Sequence, residues 1–208
     1  MKRLDLLVAT HPHADHVEGL PAVLARFPVA LVLDPGCRGD SPYYAEFLRA
    51  VRAAGVPFRH PISGTSFRLA DVRVDVLGPE SCFRGTDSDP NNDSLVLRVS
   101  SGSASILFPG DAEEPAQEDL LRDYGTSLHS LVLKVPHHGG DTSLPQFFAA
   151  SDARVAIVSV GPNRYGHPVP EVLQELSADG MRVLRTDRAG DVTVSFKDAQ
   201  VLLSWTGQ

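Results

Sequence analysis

The order of apolar and polar positions divides the chain into short strands that alternate with helices. Leu4 to Ala9 is an apolar run and predicts a buried strand. Val17, Leu20, Val23, Leu24 and Phe27 recur at helical spacing, so a helix is expected over 17–27. Val29 to Leu33 predicts a second strand, ended by Asp34-Pro35-Gly36. A helix from Ser41 to about Ala54 has Ser41 as its N-cap, Pro42 in its first turn and Gly55 at its end. From Val56 to Leu77 the period becomes two, and Phe67, Leu69, Val72, Val74 and Val76 read as a β-hairpin.

Residues 78–93 are polar and loop-like, and strands are expected over 94–99 and 104–108 with a turn at Ser101-Gly102-Ser103. A helix over 113–124 opens with acidic residues, which suits the positive end of its dipole. Further strands follow at 128–135, 154–160 and 181–185, helices at 144–150 and 170–178, and a closing hairpin at 192–196 and 200–205. This predicts one mixed α/β domain over 1–208. Strand after strand ends in a loop bearing His, Asp or Asn, at 11–16, 91–93, 111, 137–138 and 163–167. Loops held by a rigid sheet are where chemistry usually sits.

Composition narrows the class. With 42% hydrophobic and 22% charged residues among 208, the chain reads as an ordinary soluble globular domain. No apolar run is long enough to span a bilayer. The opening Met1-Lys2-Arg3-Leu4 imitates a leader, but Asp5 and His11 interrupt the apolar stretch, so a cytoplasmic place is expected by default. Cys37 and Cys82 are far apart and in no C-x-x-C arrangement, which fits a reduced compartment. A net charge of −7 argues against broad attraction to nucleic acid, although bound cations can neutralise a phosphate locally.

The chemistry centres on His11-Pro12-His13-Ala14-Asp15-His16. His11 and His13, two apart on an extended loop, point the same way and can share one metal, while Asp15 and His16 turn toward a second position. Mixed nitrogen and oxygen donors suit zinc, manganese or iron better than calcium or magnesium. A merely polar, histidine-rich loop is the plain alternative. Asp111 is expected to bridge two metals, one carboxylate oxygen to each; its other reading is a helix cap. Of His137 and His138, one closes the coordination sphere, with His137 preferred, and the other orients it or contacts substrate. His167 is expected as leaving-group acid or hydrogen-bond donor. Arg164 and Lys134 are candidates to hold a phosphate oxygen. No G-x-S-x-G, Walker loop or dinucleotide fingerprint is present.

The His11–His16 cluster, Gly110-Asp111 and Val135-Pro136-His137-His138-Gly139 resemble the metallo-β-lactamase superfamily. Asn91-Asn92-Asp93-Ser94-Leu95-Val96-Leu97, Leu133-Lys134-Val135-Pro136-His137-His138-Gly139 and Asn163-Arg164-Tyr165-Gly166-His167-Pro168 resemble its ComEC-like branch, as does the tail from Arg185 to Asp191. The resemblance implies a four-layer αββα sandwich and a dinuclear zinc or manganese site. It implies phosphodiester hydrolysis, with single-stranded DNA as substrate. The N-terminal hairpin usual in that family is missing, which leaves a sheet edge open to a partner or an upstream segment. Asn91, Asn92 and Asp93 stand where many members have another histidine ligand, which makes Asn92 a candidate oxygen ligand. The alternatives are a small-molecule hydrolase acting on a lactone, thioester or β-lactam, and a non-catalytic metal-binding interaction domain. Membrane transport of DNA does not carry over without a spanning segment, although the family context allows a membrane association.

Overall fold

Short apolar strands and amphipathic helices assemble into two sheet layers placed face to face, one a single seven-stranded sheet and the other a three-stranded sheet and a separate hairpin, with helices on both outer sides. The computed structural model describes residues 3–197 and 200–207; Met1 and Lys2 of the leader-like opening lie outside the described residues. The strands are β1 (Leu7–Val8), β2 (Val32–Leu33), β3 (Phe58–Arg59), β4 (Ser66–Leu69), β5 (Val72–Gly78), β6 (Val96–Ser101), β7 (Ala104–Phe108), β8 (Val132–Lys134), β9 (Val155–Val158), β10 (Arg182–Arg185), β11 (Val192–Lys197) and β12 (Gln200–Trp205). The helices are α1 (Ala14–Val17), α2 (Leu20–Arg26), α3 (Pro42–Ala54), α4 (Asp89–Asn92), α5 (Glu114–Tyr124), α6 (Pro145–Ser151), α7 (Pro170–Ala178) and α8 (Thr186–Ala189).

A mixed seven-stranded sheet runs β10-β9-β8-β7-β6-β5-β4. On one face Leu107, Leu133, Val135 and Ala156 pack with Leu120, Phe147, Phe148, Val172 and Leu176 of α5, α6 and α7. On the other face Val74, Val76, Leu95 and Leu97 meet Leu33, Leu6 and Val8 of the parallel sheet β1-β2-β3. Farther along that face Val132, Val155 and Ile157 meet Val194, Phe196, Val201 and Leu203 of the β11–β12 hairpin. Helices α1–α3 cover the small parallel sheet through Val17, Leu24, Phe47 and Val51. The resulting order of layers is α/β/β/α, as the family resemblance implies. The central strands β2, β8 and β9 are covered on both faces, which is why they read as continuous apolar runs.

Several boundaries differ from expectation for identifiable reasons. The helix expected over 17–27 begins at Ala14 and breaks after Val17, because Pro21 lacks the N–H that would continue the ladder. Asp15 and His16 therefore ride on the first turn of α1 rather than on the loop. Ser41 precedes α3 in extended conformation but makes no side-chain cap bond, while Gly55 ends the helix at a left-handed φ of 62°. Residues 78–93 are no plain loop, for α4 forms there and buries Asn91 and Asn92. The expectation of reduced thiols is overturned, because Cys37 and Cys82 form a disulfide between the loops that follow β2 and β5. Their spacing of 45 residues carries no local signal; only the fold brings the two loops together. Among the described residues no helix is long and apolar enough to cross a membrane.

Candidate metal centre

The loop from Thr10 to His13 is tied to the sheet sandwich where Leu95 N–H donates to the Thr10 carbonyl at 2.8 Å. His11 is fully buried, and its Nδ1 lies 3.1 Å from Thr10 Oγ1 and 3.3 Å from Ser94 Oγ. Thr10 Oγ1 also lies 3.2 Å from His16 Nδ1. His138 Nδ1 donates to the Ser159 carbonyl at 2.7 Å. Each of these rings thus has Nδ1 engaged outside and Nε2 turned inward, the arrangement that orients histidines toward a cation.

The inward atoms converge on Asp111, which is almost fully buried. Its Oδ2 lies 3.2 Å from His16 Nε2, 3.2 Å from His138 Nε2 and 3.9 Å from His11 Nε2. Asp15 Oδ2 lies 3.1 Å from His138 Nε2 and 3.5 Å from His16 Nε2. Asp15, His16, Asp111 and His138 each offer one ligand atom to a common point, with these atoms within 4.8 Å of one another. His11 Nε2 and His13 Nδ1 face each other at 3.2 Å beside that group. The loop geometry of Asp111 depends on Gly110 at φ 61°, where an added Cβ would meet Ser94 at 2.7 Å. The Ser94 hydroxyl in turn accepts the Asp111 N–H at 2.9 Å.

Lys134 does not reach outward for a phosphate. Its Nζ donates to Asp111 Oδ1 at 3.2 Å and to the Gly110 carbonyl at 2.8 Å. The expectation that Asp111 gives one oxygen to each of two cations is therefore replaced: Oδ1 is held by Lys134, and Oδ2 alone faces the histidines.

The residues fit a divalent cation. His16 Nε2 and His138 Nε2 stand 3.2 Å apart, and the Nδ1 proton of His138 is committed to Ser159. Two imidazole nitrogens facing each other need a proton or a cation between them. The electrostatics agree. Hydrogen bonds to Asp111 and Asp15 raise His138 from 6.5 to about 9. Burial works to raise Asp111, but hydrogen bonds from His138 and His16 and the charge of Lys134 override it and hold the carboxyl far below its ordinary range. Hydrogen bonding to His138 lowers Asp15 to about 2. Burial, reinforced by the charge of His16, depresses His11 to about 3, so its imidazole is neutral and free to coordinate.

The preference for His137 over His138 is reversed. Both have left-handed backbones, with φ of 45° and 53°, and their ring centroids diverge to 6.4 Å. A non-glycine residue in that region is uncommon, and two in succession turn the adjacent rings toward different neighbours. His137 Nδ1 meets Thr142 Oγ1 at 3.0 Å and Glu113 Oε1 at 3.3 Å, and its Nε2 lies 3.4 Å from Asn91 Nδ2. Asn92 is corrected as well. Its Oδ1 accepts the N–H groups of Glu113 and Ala116, each at 3.2 Å, while its Nδ2 donates to Thr86 Oγ1 and the Ser88 carbonyl. Asn92 thus caps α5, the role weighed for Asp111, and has no oxygen left for a metal. Asn91 Oδ1, by contrast, is buried without a partner.

His167 stands apart from the four-residue group, edge-on to His137 with ring centroids 5.1 Å apart. Gly140 permits this, since a Cβ there would meet the His167 ring at 2.8 Å. Arg164 lies on the exposed tip of the same loop. The supporting residues Thr10, Ser94, Thr142 and Ser159 carry no sequence signal of their own. A small hydroxyl or a backbone carbonyl gains its role only from what the fold sets beside it.

The chain matches the model of the "Metallo-beta-lactamase superfamily" over residues 2–158. It is 32% identical over 200 residues to ComE operon protein 3 of Bacillus subtilis (strain 168), covering 95% of this chain and 25% of that protein. It is 33% identical over 192 residues to Competence protein ComA of Neisseria gonorrhoeae, covering 91% and 25%. The chain thus spans about a quarter of the length of these curated relatives. Both bear out the resemblance to the ComEC-like branch. Among solved structures it is similar in fold to CmlA, a diiron beta-hydroxylase from Streptomyces venezuelae, with a TM-score of 0.59 at 15% identity over 89% of this chain and 44% of that one.

Proposed function

The chain belongs to the metallo-beta-lactamase superfamily, and from that membership we propose that it is a metal-dependent phosphodiesterase acting on a nucleic-acid strand. The observation that carries the proposal is the convergence of Asp15, His16, Asp111 and His138 on one point. These four would hold one divalent cation. His11 and His13, with Asp111 Oδ2, would hold a second, so that zinc or manganese is bound twice. When bound, such cations draw charge from phosphoryl oxygens and lower the pKa of water. The chain's own residues do the rest. Lys134 fixes the carboxylate that faces both positions, and Thr10, Ser94 and Ser159 hold the imidazoles in register. Asp15, whose side chain is 63% exposed, is the carboxylate of the group open to solvent and would orient the attacking water by accepting a hydrogen bond from it. His167, next to His137, would donate a hydrogen bond to the leaving oxygen in the transition state.

The choice of a phosphodiester over a small acyl substrate rests on the two competence relatives. The test is cleavage of single-stranded DNA and RNA, of bis(p-nitrophenyl) phosphate, and of lactone and thioester panels, each with added manganese or zinc. Phosphodiester cleavage that is lost in Asp111→Asn, with its unfolding curve unchanged in shape, is the expected result. Acyl cleavage with no phosphodiester cleavage would replace the proposal.

A further inference from the structure

Tyr165 is 82% exposed and sits at the tip of the loop that also carries Arg164 and His167. Single exposed aromatics are ordinary on protein surfaces. This one is held in a way that ordinary ones are not. The Asn163 side chain knots the loop from inside. Its Nδ2 donates to the carbonyls of Gly161 at 3.0 Å and His167 at 2.9 Å, and its Oδ1 accepts the N–H groups of Tyr165 and His167, each at 3.1 Å. Four hydrogen bonds from one side chain fix the tip, so ordering it costs little when something binds.

The direction matters as much as the exposure. From the His/Asp group outward, ring centroids are spaced 5.2 Å between His16 and His138, 6.4 Å between His138 and His137, 5.1 Å between His137 and His167, and 5.8 Å between His167 and Tyr165. The last pair is tilted by 36°, so Tyr165 leans along His167 and the ring array ends on the open surface. An exposed aromatic face is what an unpaired nucleobase needs. A base inside a duplex has both faces covered and offers none. With a net charge of −7, electrostatics alone would not retain a nucleic-acid strand on this protein, and stacking supplies attraction that does not depend on it.

We propose that Tyr165 is a stacking platform for an unpaired nucleobase of a single-stranded nucleic acid, held on the Asn163-knotted loop at the outer end of the ring array that leads from the metal centre. This rests on the phosphodiesterase reading of the same centre, and the test separates the two. Binding of short, labelled single-stranded DNA and RNA, and of analogues of equal length lacking the bases, is measured by fluorescence anisotropy with and without manganese, and cleavage is followed in parallel. Base-bearing strands are expected to bind about tenfold more tightly than abasic ones. Tyr165→Ala is expected to erase that difference, and Tyr165→Trp to keep it. Equal binding of the two strands by the unaltered protein, or a preference that survives Tyr165→Ala, overturns the platform. A base preference without cleavage upholds it and refutes the phosphodiesterase reading. Cleavage without a base preference does the reverse. DNA and RNA arms that behave alike place the recognition on the base, whereas one retained only for a single sugar would move it off Tyr165.

Discussion

Replacing Lys134 by methionine separates the support of Asp111 from its coordination. The ammonium donates to Asp111 Oδ1 at 3.2 Å and to the Gly110 carbonyl at 2.8 Å. The Lys134 side chain is 17% exposed and that of Asp111 3%, so the pair is largely withdrawn from water. Removing one partner of a buried pair costs about 3–5 kcal/mol, because the other charge stays behind uncompensated. In chelated protein the imidazoles at Oδ2 retain part of that compensation, so the loss in Lys134→Met is set at the low end, about 3 kcal/mol. With divalent cations bound, positive charge faces Oδ2 directly. What Lys134→Met then removes is close to one hydrogen bond, about 1 kcal/mol. Urea unfolding of Lys134→Met and Lys134→Arg, each with chelator and with saturating manganese, reads both numbers. The arginine variant keeps the charge and should lose less than the methionine one. A loss of the same size with and without metal would refute the coupling of Lys134 to the cation site, and no loss in chelator would refute the ion pair itself.

Two further predictions use the same unfolding measurement. Hydrogen bonds to Asp111 and Asp15 raise His138 from 6.5 to about 9. A raised histidine contributes stability that is complete below pH 6.5 and is lost as pH rises through about 9. Chelated protein should therefore lose up to about 3 kcal/mol over that window, a loss absent from His138→Gln; an unchanged midpoint in the unaltered protein would contradict it. Reducing the Cys37–Cys82 bond, which closes a loop of 45 residues, should cost about 4 kcal/mol through the freedom it restores to the unfolded chain. The paired Cys37→Ser, Cys82→Ser variant should match the reduced protein, and a midpoint insensitive to reductant would show that the bond contributes nothing.

Periodicity made the individual elements legible because central strands buried on both faces read as continuous apolar runs, and helices such as α3 and α7 carry a clear apolar stripe, whereas the layered arrangement was carried by the family resemblance alone. The His11–His16 cluster was legible because several ligand types fall within six consecutive positions of the sequence. Legibility ended where neighbours in sequence part company in space. His137 and His138 are equivalent by composition, and only two successive left-handed residues send one to Glu113 and Thr142 and the other to Asp111. Asn91, Asn92 and Asp93 are likewise indistinguishable in a polar stretch. The fold makes Asn92 a helix cap, leaves Asn91 Oδ1 unpartnered and gives Asp93 the Phe83 N–H. Lys134 closes a strand whose register puts it under the β7–α5 turn, a relation between residues more than twenty positions apart. The disulfide failed for the same reason, since each cysteine stands alone in its own loop.

The most direct measurement is metal content by elemental analysis of the unaltered protein, His138→Ala and His137→Ala, each purified without chelator and reloaded with manganese or zinc. If Asp15, His16, Asp111 and His138 hold a cation, His138→Ala loses about one metal per chain and His137→Ala keeps the full complement. Full metal in His138→Ala together with loss in His137→Ala would contradict the assignment and move the centre to the Glu113 side of the turn.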